Sequence, residues 1–300
     1  MVLREAYSHL HPATRPFADE GNEQRIRRIR TDRWIAYARA EAALLAIDDL
    51  LSFPQRTRMP NLLLVGPTNN GKTMIVEKFR RSHLPVDASA TANGIASIPV
   101  LKVQMPPGPD ESRFFGAILD ALGVPNAPSD RPSHRQDSSV RLMRATAVRL
   151  LVIDEVHNLL SGTGPQQRRF LNLLRWLGNE LQIPLVAVGT AEALRALQSD
   201  DQLANRFEPF ALPPWRDGKE YRRLLSTLEA VLPLRQPSGL SDSALAQKIL
   251  TAAEGILGEV LAIVTRAAVR AVTSGTESIS TQTLDEIGFM PPTERRRVAV

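Results

Sequence analysis

The residues best suited to chemistry are GPTNNGKT, positions 66–73, which satisfy the pattern G-x-x-x-x-G-K-[ST]. Gly66 and Gly71 let the backbone wrap tightly enough for successive amides to point at phosphate oxygens. Pro67, Thr68, Asn69 and Asn70 complete the loop between them. Lys72 is spaced to reach the β- and γ-phosphates of a nucleotide, and the Thr73 hydroxyl to ligate magnesium. An apolar run precedes the loop and a helix-compatible run, MIVEKFRRS, follows it, so a helix N-terminus adds its partial positive charge.

A second pattern is LLVIDEVH, positions 150–157, an apolar strand ending in two acids. At the strand tip Asp154 would hold magnesium, directly or through water, and Glu155 would orient and polarise an attacking water. A buried strand can end in solvated acids for no catalytic reason; the phosphate-binding loop upstream favours the catalytic reading. An acid directly after the magnesium ligand favours hydrolysis over binding alone. The next apolar run, LVAVGT, ends in Thr190. Its hydroxyl could sense the γ-phosphate or hold the water, or could cap the helix that begins at AEALRAL, and both uses stay open. Arg206, in QLANRFEPFALPPW, is a candidate finger that would stabilise transition-state charge, although on its type alone it is one arginine among many.

Elements must hold these groups in place. A first strand, LLLV, starts at Asn61 and runs into the loop, and strand-like runs recur at residues 98–103, 149–153 and 184–188. Each is short, apolar and rich in β-branched residues, with helical stretches between. This alternation predicts an α/β fold with a parallel sheet sandwiched by helices. Phe170, Leu174, Leu177 and Leu181 form one helical stripe, and Trp34, Tyr37, Leu44, Ile47 and Leu51 another. After Pro213 and Pro214 only helical patterns follow, which predicts a small C-terminal helical domain. The expected organisation is a loose arm at 1–22, a helical segment at 23–57, a nucleotide-binding α/β domain at 58–214, a helical lid at 215–288 and a flexible basic tail at 289–300. Residues 125–139, rich in Pro and Ser, read as an exposed loop. No internal repeat is visible.

The chain has 300 residues, 43% hydrophobic and 23% charged, within the ordinary soluble range. It lacks an apolar run of membrane length, its first residues have no signal-peptide core, and it has no cysteine for disulfides or thiolate metal sites. A cytoplasmic protein is expected, with no membrane partner. The net charge of +5 permits a phosphate-rich partner such as nucleic acid.

Together these motifs resemble an AAA+ ATPase. The blocks RWIAYARAEAALLAIDDLLSFPQRTRMPNLLLVGPTNNGKT, LLVIDEVHNLLSGT and QLANRFEPFALPPW are similar to the TniB group of transposition ATPases, relatives of TnsC, over roughly residues 23–270. The resemblance implies a bacterial, DNA-associated ATPase using ATP and Mg2+. It would assemble as a homo-oligomeric ring or filament on double-stranded DNA, recruiting and activating a partner transposase with an accessory targeting protein. Arg206 then matches the family's finger position. Gly258, in EGILGEV, stands where many relatives place a second-sensor arginine, and Arg266 could substitute. The DNA contacts would come from LKVQMPPGPDESRFFGAIL through Lys102 and Arg113, unless Lys102 merely lines a strand edge and Arg113 a solvated helix face. The cluster of Arg25, Arg27, Arg28 and Arg30 is the next candidate. No carboxylate trio for a two-metal nuclease appears, and His9 and His11 read as solvated arm residues. Two other functions share the ATP motifs: a replication loader or initiator, and a nucleotide-dependent signalling switch without DNA.

Overall fold

In the computed structural model, described for residues 7–92, 94–125, 130–198 and 204–297, the chain forms two compact units. One comprises residues 39–68 and 72–212, the other residues 1–38, 69–71 and 213–300. Residues 1–6 of the expected arm, 126–129 of the expected loop and 298–300 of the expected tail lie outside the described residues.

The first unit is built on five parallel strands, β1 (Asn61–Val65), β2 (Val100–Gln104), β3 (Leu150–Asp154), β4 (Leu185–Gly189) and β5 (Phe207–Ala211). Their order in the sheet is β2-β3-β4-β1-β5. The three inner strands are buried at every position, as continuous apolar runs covered on both faces should be. The helices of this unit are α2 (Ala38–Ser52), α3 (Lys72–Ser82), α4 (Glu111–Ala121), α5 (Pro132–Ala145), α6 (Gly164–Leu181) and α7 (Ala191–Gln198). The expected stripe of α6 is buried, with Phe170, Leu174 and Leu177 fully enclosed and Phe114 edge-on to Phe170 at 5.2 Å.

The second unit packs α1 (Asn22–Arg30), α8 (Lys219–Val231), α9 (Ser243–Ala253), α10 (Leu257–Ser274) and α11 (Thr281–Glu286) around one apolar core that includes Leu225, Ile249 and Val260. Among the described residues no helix is long and apolar enough to cross a membrane.

Four local expectations differ from the structure. Residues 132–139 are helical, not an exposed loop: Pro132 begins α5, where its missing amide costs nothing, and the buried face is polar. There the Ser139 hydroxyl donates to the Phe115 carbonyl at 3.2 Å and the Arg135 guanidinium to the Ser112 hydroxyl at 3.0 Å. The stripe expected from Trp34 is helical only from Ala38 onward. Residues 7–20 are not loose: Leu10 and Ala18 are buried, and the His11 amide donates to the Ala230 carbonyl at 2.8 Å. Lastly, the expected tail contains α12 (Pro292–Arg297), whose Thr293 amide and hydroxyl donate to the Glu254 carboxylate at 3.0 and 2.7 Å.

Candidate active site

Parallel strands bring their C-terminal ends to one edge of the sheet, and β1, β3 and β4 each end there in a candidate group. The loop 66–73 leaves β1, Asp154 closes β3, and Thr190 follows β4, which lies between them. Gly66 is confined by packing, since a Cβ there would stand 2.6 Å from the Leu212 carbonyl oxygen. Gly71 has φ +85°, the region that favours glycine. Lys72 begins α3 and is nearly buried; its ammonium donates to the loop's own carbonyls, Gly66 O at 2.9 Å and Pro67 O at 2.6 Å. Burial pushes the Lys72 ammonium below its ordinary pKa, while Glu155 and Asp154 pull it back up.

Asp154 is the hub of the site. Its Oδ1 accepts the Glu155 amide at 3.0 Å, and its Oδ2 accepts the Thr73 hydroxyl at 3.1 Å and lies 3.2 Å from the Lys102 ammonium. A hydroxyl and a carboxylate converging beside the phosphate loop are the hard oxygen donors that suit magnesium, and the Lys102 ammonium already holds a cation against one of them. Lys102 also pairs with Glu77 of α3 at 3.1 Å. The Glu77 carboxyl, raised by burial, is held below its usual value by hydrogen bonds from Arg80 and Lys102. This corner of Glu77, Lys102 and Asp154 was not legible in sequence, because neither Glu77 nor Lys102 belongs to a motif.

Glu155 takes φ +56° and ψ +36°, a left-handed conformation that costs a non-glycine residue roughly 1–3 kcal/mol. It turns the chain sharply off β3. Its carboxylate lies 3.2 Å from His157 Nε2, a neighbour that motif reading missed, and His157 Nδ1 is buried with no partner among the described residues. The Thr190 hydroxyl bonds the Glu192 carboxylate and lowers its pKa, and its carbonyl accepts the Ala193 amide at 3.1 Å. Thr190 thus serves the first turn of α7 while standing at the tip of β4.

The tip of the loop, Asn69–Gly71, groups with the helical unit. The Asn69 carbonyl accepts the Gly258 amide at 2.9 Å, its side-chain amide donates to Glu259 at 3.2 Å, and Asn70 Oδ1 accepts the Leu257 amide at 3.1 Å. A Cβ at Gly258 would fall 2.1 Å from the Asn69 side-chain oxygen. A side chain there would have to displace the Asn69 side chain. Arg266 stacks on Phe289 at 5.3 Å, on the exposed side of α10.

Arg206 is not brought to this edge. It precedes β5, where Asn61 pairs with Phe207, and its guanidinium donates to Asn179 at 2.8 Å. Five strand steps of about 3.3 Å separate it from Ala211, so it lies about 16 Å down the sheet, beyond the reach of a side chain. The two candidate DNA contacts also diverge. Lys102 is engaged by acids, whereas Arg113, in the first turn of α4, is 71% exposed and lies 3.6 Å from Asp110. The reserve cluster is only partly on the surface: Arg25 is fully buried against Glu277, Arg28 is exposed but pairs with Glu20 and lies over Phe17, and Arg27 and Arg30 are exposed.

The strand order and the site geometry define the class: this is the α/β P-loop fold of the AAA+ ATPases. Similar solved structures include the Aeropyrum pernix ORC1 protein in complex with DNA, 19% identical, covering 88% of this chain and 68% of that one with a TM-score of 0.62. CDC6P from Pyrobaculum aerophilum is 18% identical over 87% of this chain and 70% of that one, TM-score 0.62. The ADP form of Aeropyrum pernix ORC2 is 16% identical over 91% and 74%, TM-score 0.63. At such identities the likeness is one of fold. Comparison with curated proteins gives no match. The family model described as "Bacterial TniB protein" matches residues 25–217, and the chain belongs to the TniB family.

Proposed function

We propose that this protein is an ATPase that assembles on double-stranded DNA and regulates transposition, recruiting and activating a partner transposase with an accessory targeting protein. The observation that carries the ATPase part is the convergence of Thr73, Asp154 and Glu155 beside the loop 66–73 at one edge of the sheet. Family membership supports the transposition role. The α/β unit, within residues 58–214, binds the nucleotide, and residues 215–288 act as its lid.

In this scheme the loop amides and Lys72 bind the β- and γ-phosphates, Lys72 exchanging its loop carbonyls for phosphate oxygens. Thr73 and Asp154 would hold Mg2+, which neutralises phosphate charge when bound. Glu155 orients a water and accepts its proton as the water oxygen bonds to the γ-phosphorus; the bond to the bridging oxygen breaks, and ADP leaves with the electron pair. Thr190 steadies that water or the γ-phosphate. Arg206, too far from its own loop, acts on the nucleotide of a neighbouring subunit in a ring or filament. Arg113 remains the candidate phosphate contact to DNA; Lys102 could join it only by leaving Asp154. We infer a cytoplasmic, DNA-associated protein of bacterial origin.

The test is ATP turnover with and without duplex DNA, alongside electron microscopy with a non-hydrolysable ATP analogue. Stimulated turnover and nucleotide-dependent assemblies on DNA are expected. Turnover indifferent to DNA, with no assembly, would remove the DNA-bound role.

A further inference from the structure

The turn that leaves β3 packs on the tip of β4. Residues Val156–Ser161 form a short 3-10 helix, and Val156 is buried. A Cβ on Gly189 would stand 2.9 Å from a Val156 side-chain carbon, so the bare glycine lets the turn lie this close. His157, in that turn, therefore stands beside two of the groups at this edge. Its Nε2 lies 3.2 Å from the Glu155 carboxylate. On the β4 side, the Glu192 carboxyl is lowered chiefly by the hydrogen bond from Thr190, and the nearby His157 adds to the effect in smaller part.

The two ring nitrogens differ. Nδ1 is buried with no hydrogen-bond partner among the described residues, whereas Nε2 faces a carboxylate. A proton on Nδ1 would strand a buried donor and turn the Nε2 lone pair towards carboxylate lone pairs. The proton therefore sits on Nε2, which donates to Glu155. The His157 and Glu155 side chains are 33% and 40% exposed, so this bond contributes little to stability and acts mainly on direction. That direction is towards the phosphate loop. Burial lowers the Lys72 pKa, and of the two carboxylates that oppose it Glu155 acts more strongly than Asp154.

We propose that His157 is a positioning residue for hydrolysis, whose Nε2–H keeps the Glu155 carboxylate aimed at the water beyond the phosphate loop. The proposal rests on the reading that Glu155 activates that water. A glutamate side chain turns about three bonds, and a base that swings away by about an ångström loses reach of its proton. The imidazole removes this freedom before the nucleotide arrives. It touches neither nucleotide nor water, so its contribution appears in turnover and not in ATP affinity.

The experiment measures turnover, ATP affinity by calorimetry and thermal unfolding for His157→Gln, His157→Asn and His157→Phe. The Gln amide nitrogen reaches about where Nε2 stands, the Asn amide nitrogen about where Nδ1 stands, and Phe keeps a ring without a donor. Turnover within about threefold of wild type is expected for Gln, and a loss of about tenfold or more for Asn and Phe. ATP affinity should stay within about twofold of wild type in all three. Should the Phe variant unfold, the contrast of Gln with Asn carries the test. Equal losses in the folded variants would make the ring a packing element and overturn the proposal. So would a fall in ATP affinity that matches the fall in turnover. Turnover above wild type in Asn or Phe would also overturn it, since the imidazole would then hold Glu155 away from the water. Glu155→Gln separates the two levels. If it keeps wild-type turnover, the reading of Glu155 fails; if it abolishes turnover while Asn and Phe leave it unchanged, only this inference fails.

Discussion

Changing Glu277 to Gln should destabilise the helical unit more than removing the arginine it faces. Arg25 is 0% exposed and donates to both oxygens of Glu277 at 2.6 Å, to the Pro233 carbonyl at 3.2 Å and to Asn22 at 2.9 Å. In Glu277→Gln the guanidinium stays charged and buried and meets an amide that accepts at one end only. Breaking such a pair costs about 3–5 kcal/mol. In Arg25→Met the carboxylate is 13% exposed and keeps the Arg235 amide at 3.3 Å and guanidinium at 3.7 Å, so the expected cost is smaller, about 1–3 kcal/mol. The double variant should cost less than the sum, because the charge left behind by each single change is gone. Burial, the largest single influence, raises the Glu277 carboxyl; the hydrogen bonds and positive charges of Arg25 and Arg235 together outweigh it and hold the group below its ordinary value of 4.5. A depressed folded pKa stabilises above the unfolded value, and that contribution is lost as pH falls through the folded one. The gap between wild type and Glu277→Gln should therefore be constant near neutrality and shrink below about pH 5. Urea unfolding followed by circular dichroism measures all three variants. Strict additivity, or a Glu277→Gln cost under about 1 kcal/mol, would refute the reasoning.

Three further changes test the ATP site. Gly66→Ala sets a methyl 2.6 Å from the Leu212 carbonyl, so the loop must shift, and calorimetry should register loss of ATP binding. Gly258→Arg should weaken ATP binding by displacing Asn69; a gain in affinity would contradict the packing seen there. Lys102→Met removes the ammonium 3.2 Å from Asp154. The Mg2+ concentration for half-maximal ATP binding should fall roughly tenfold as like-charge repulsion is relieved, and a rise would mean that Lys102 instead positions the carboxylate.

The loop, both acids and four strands were legible because their patterns are dense: a fixed glycine–lysine spacing, and apolar runs for strands buried on both faces. β5 was missed as a strand. FEPFA carries Glu208 and Pro209, tolerable because an edge strand leaves half its backbone unpaired, and only Phe207 of the five residues is buried. α5 escaped because its buried face holds Arg135, Ser138 and Ser139, whose hydrogen bonds replace apolar periodicity. The end of the first helix before Thr31 carries no Pro or Gly to mark it. At the site, the contacts of Lys102 with Asp154 and of His157 with Glu155 lay beyond reach because ion pairing across strands and a left-handed turn leave no periodic trace. Arg25 shows the reverse error, since a run of arginines reads as a surface until one of them is found paired inside.

The most direct test of the central claim is the pairing of ATP affinity with turnover in Glu155→Gln. The Asp154 carboxylate, the Thr73 hydroxyl bonded to it and the loop are untouched by that change, so ATP should bind within about threefold of wild type while turnover falls by about a hundredfold or more. Turnover at the wild-type rate would contradict the assignment of Glu155 as the water-activating acid, and loss of ATP binding would contradict the separation of binding from hydrolysis at this edge of the sheet.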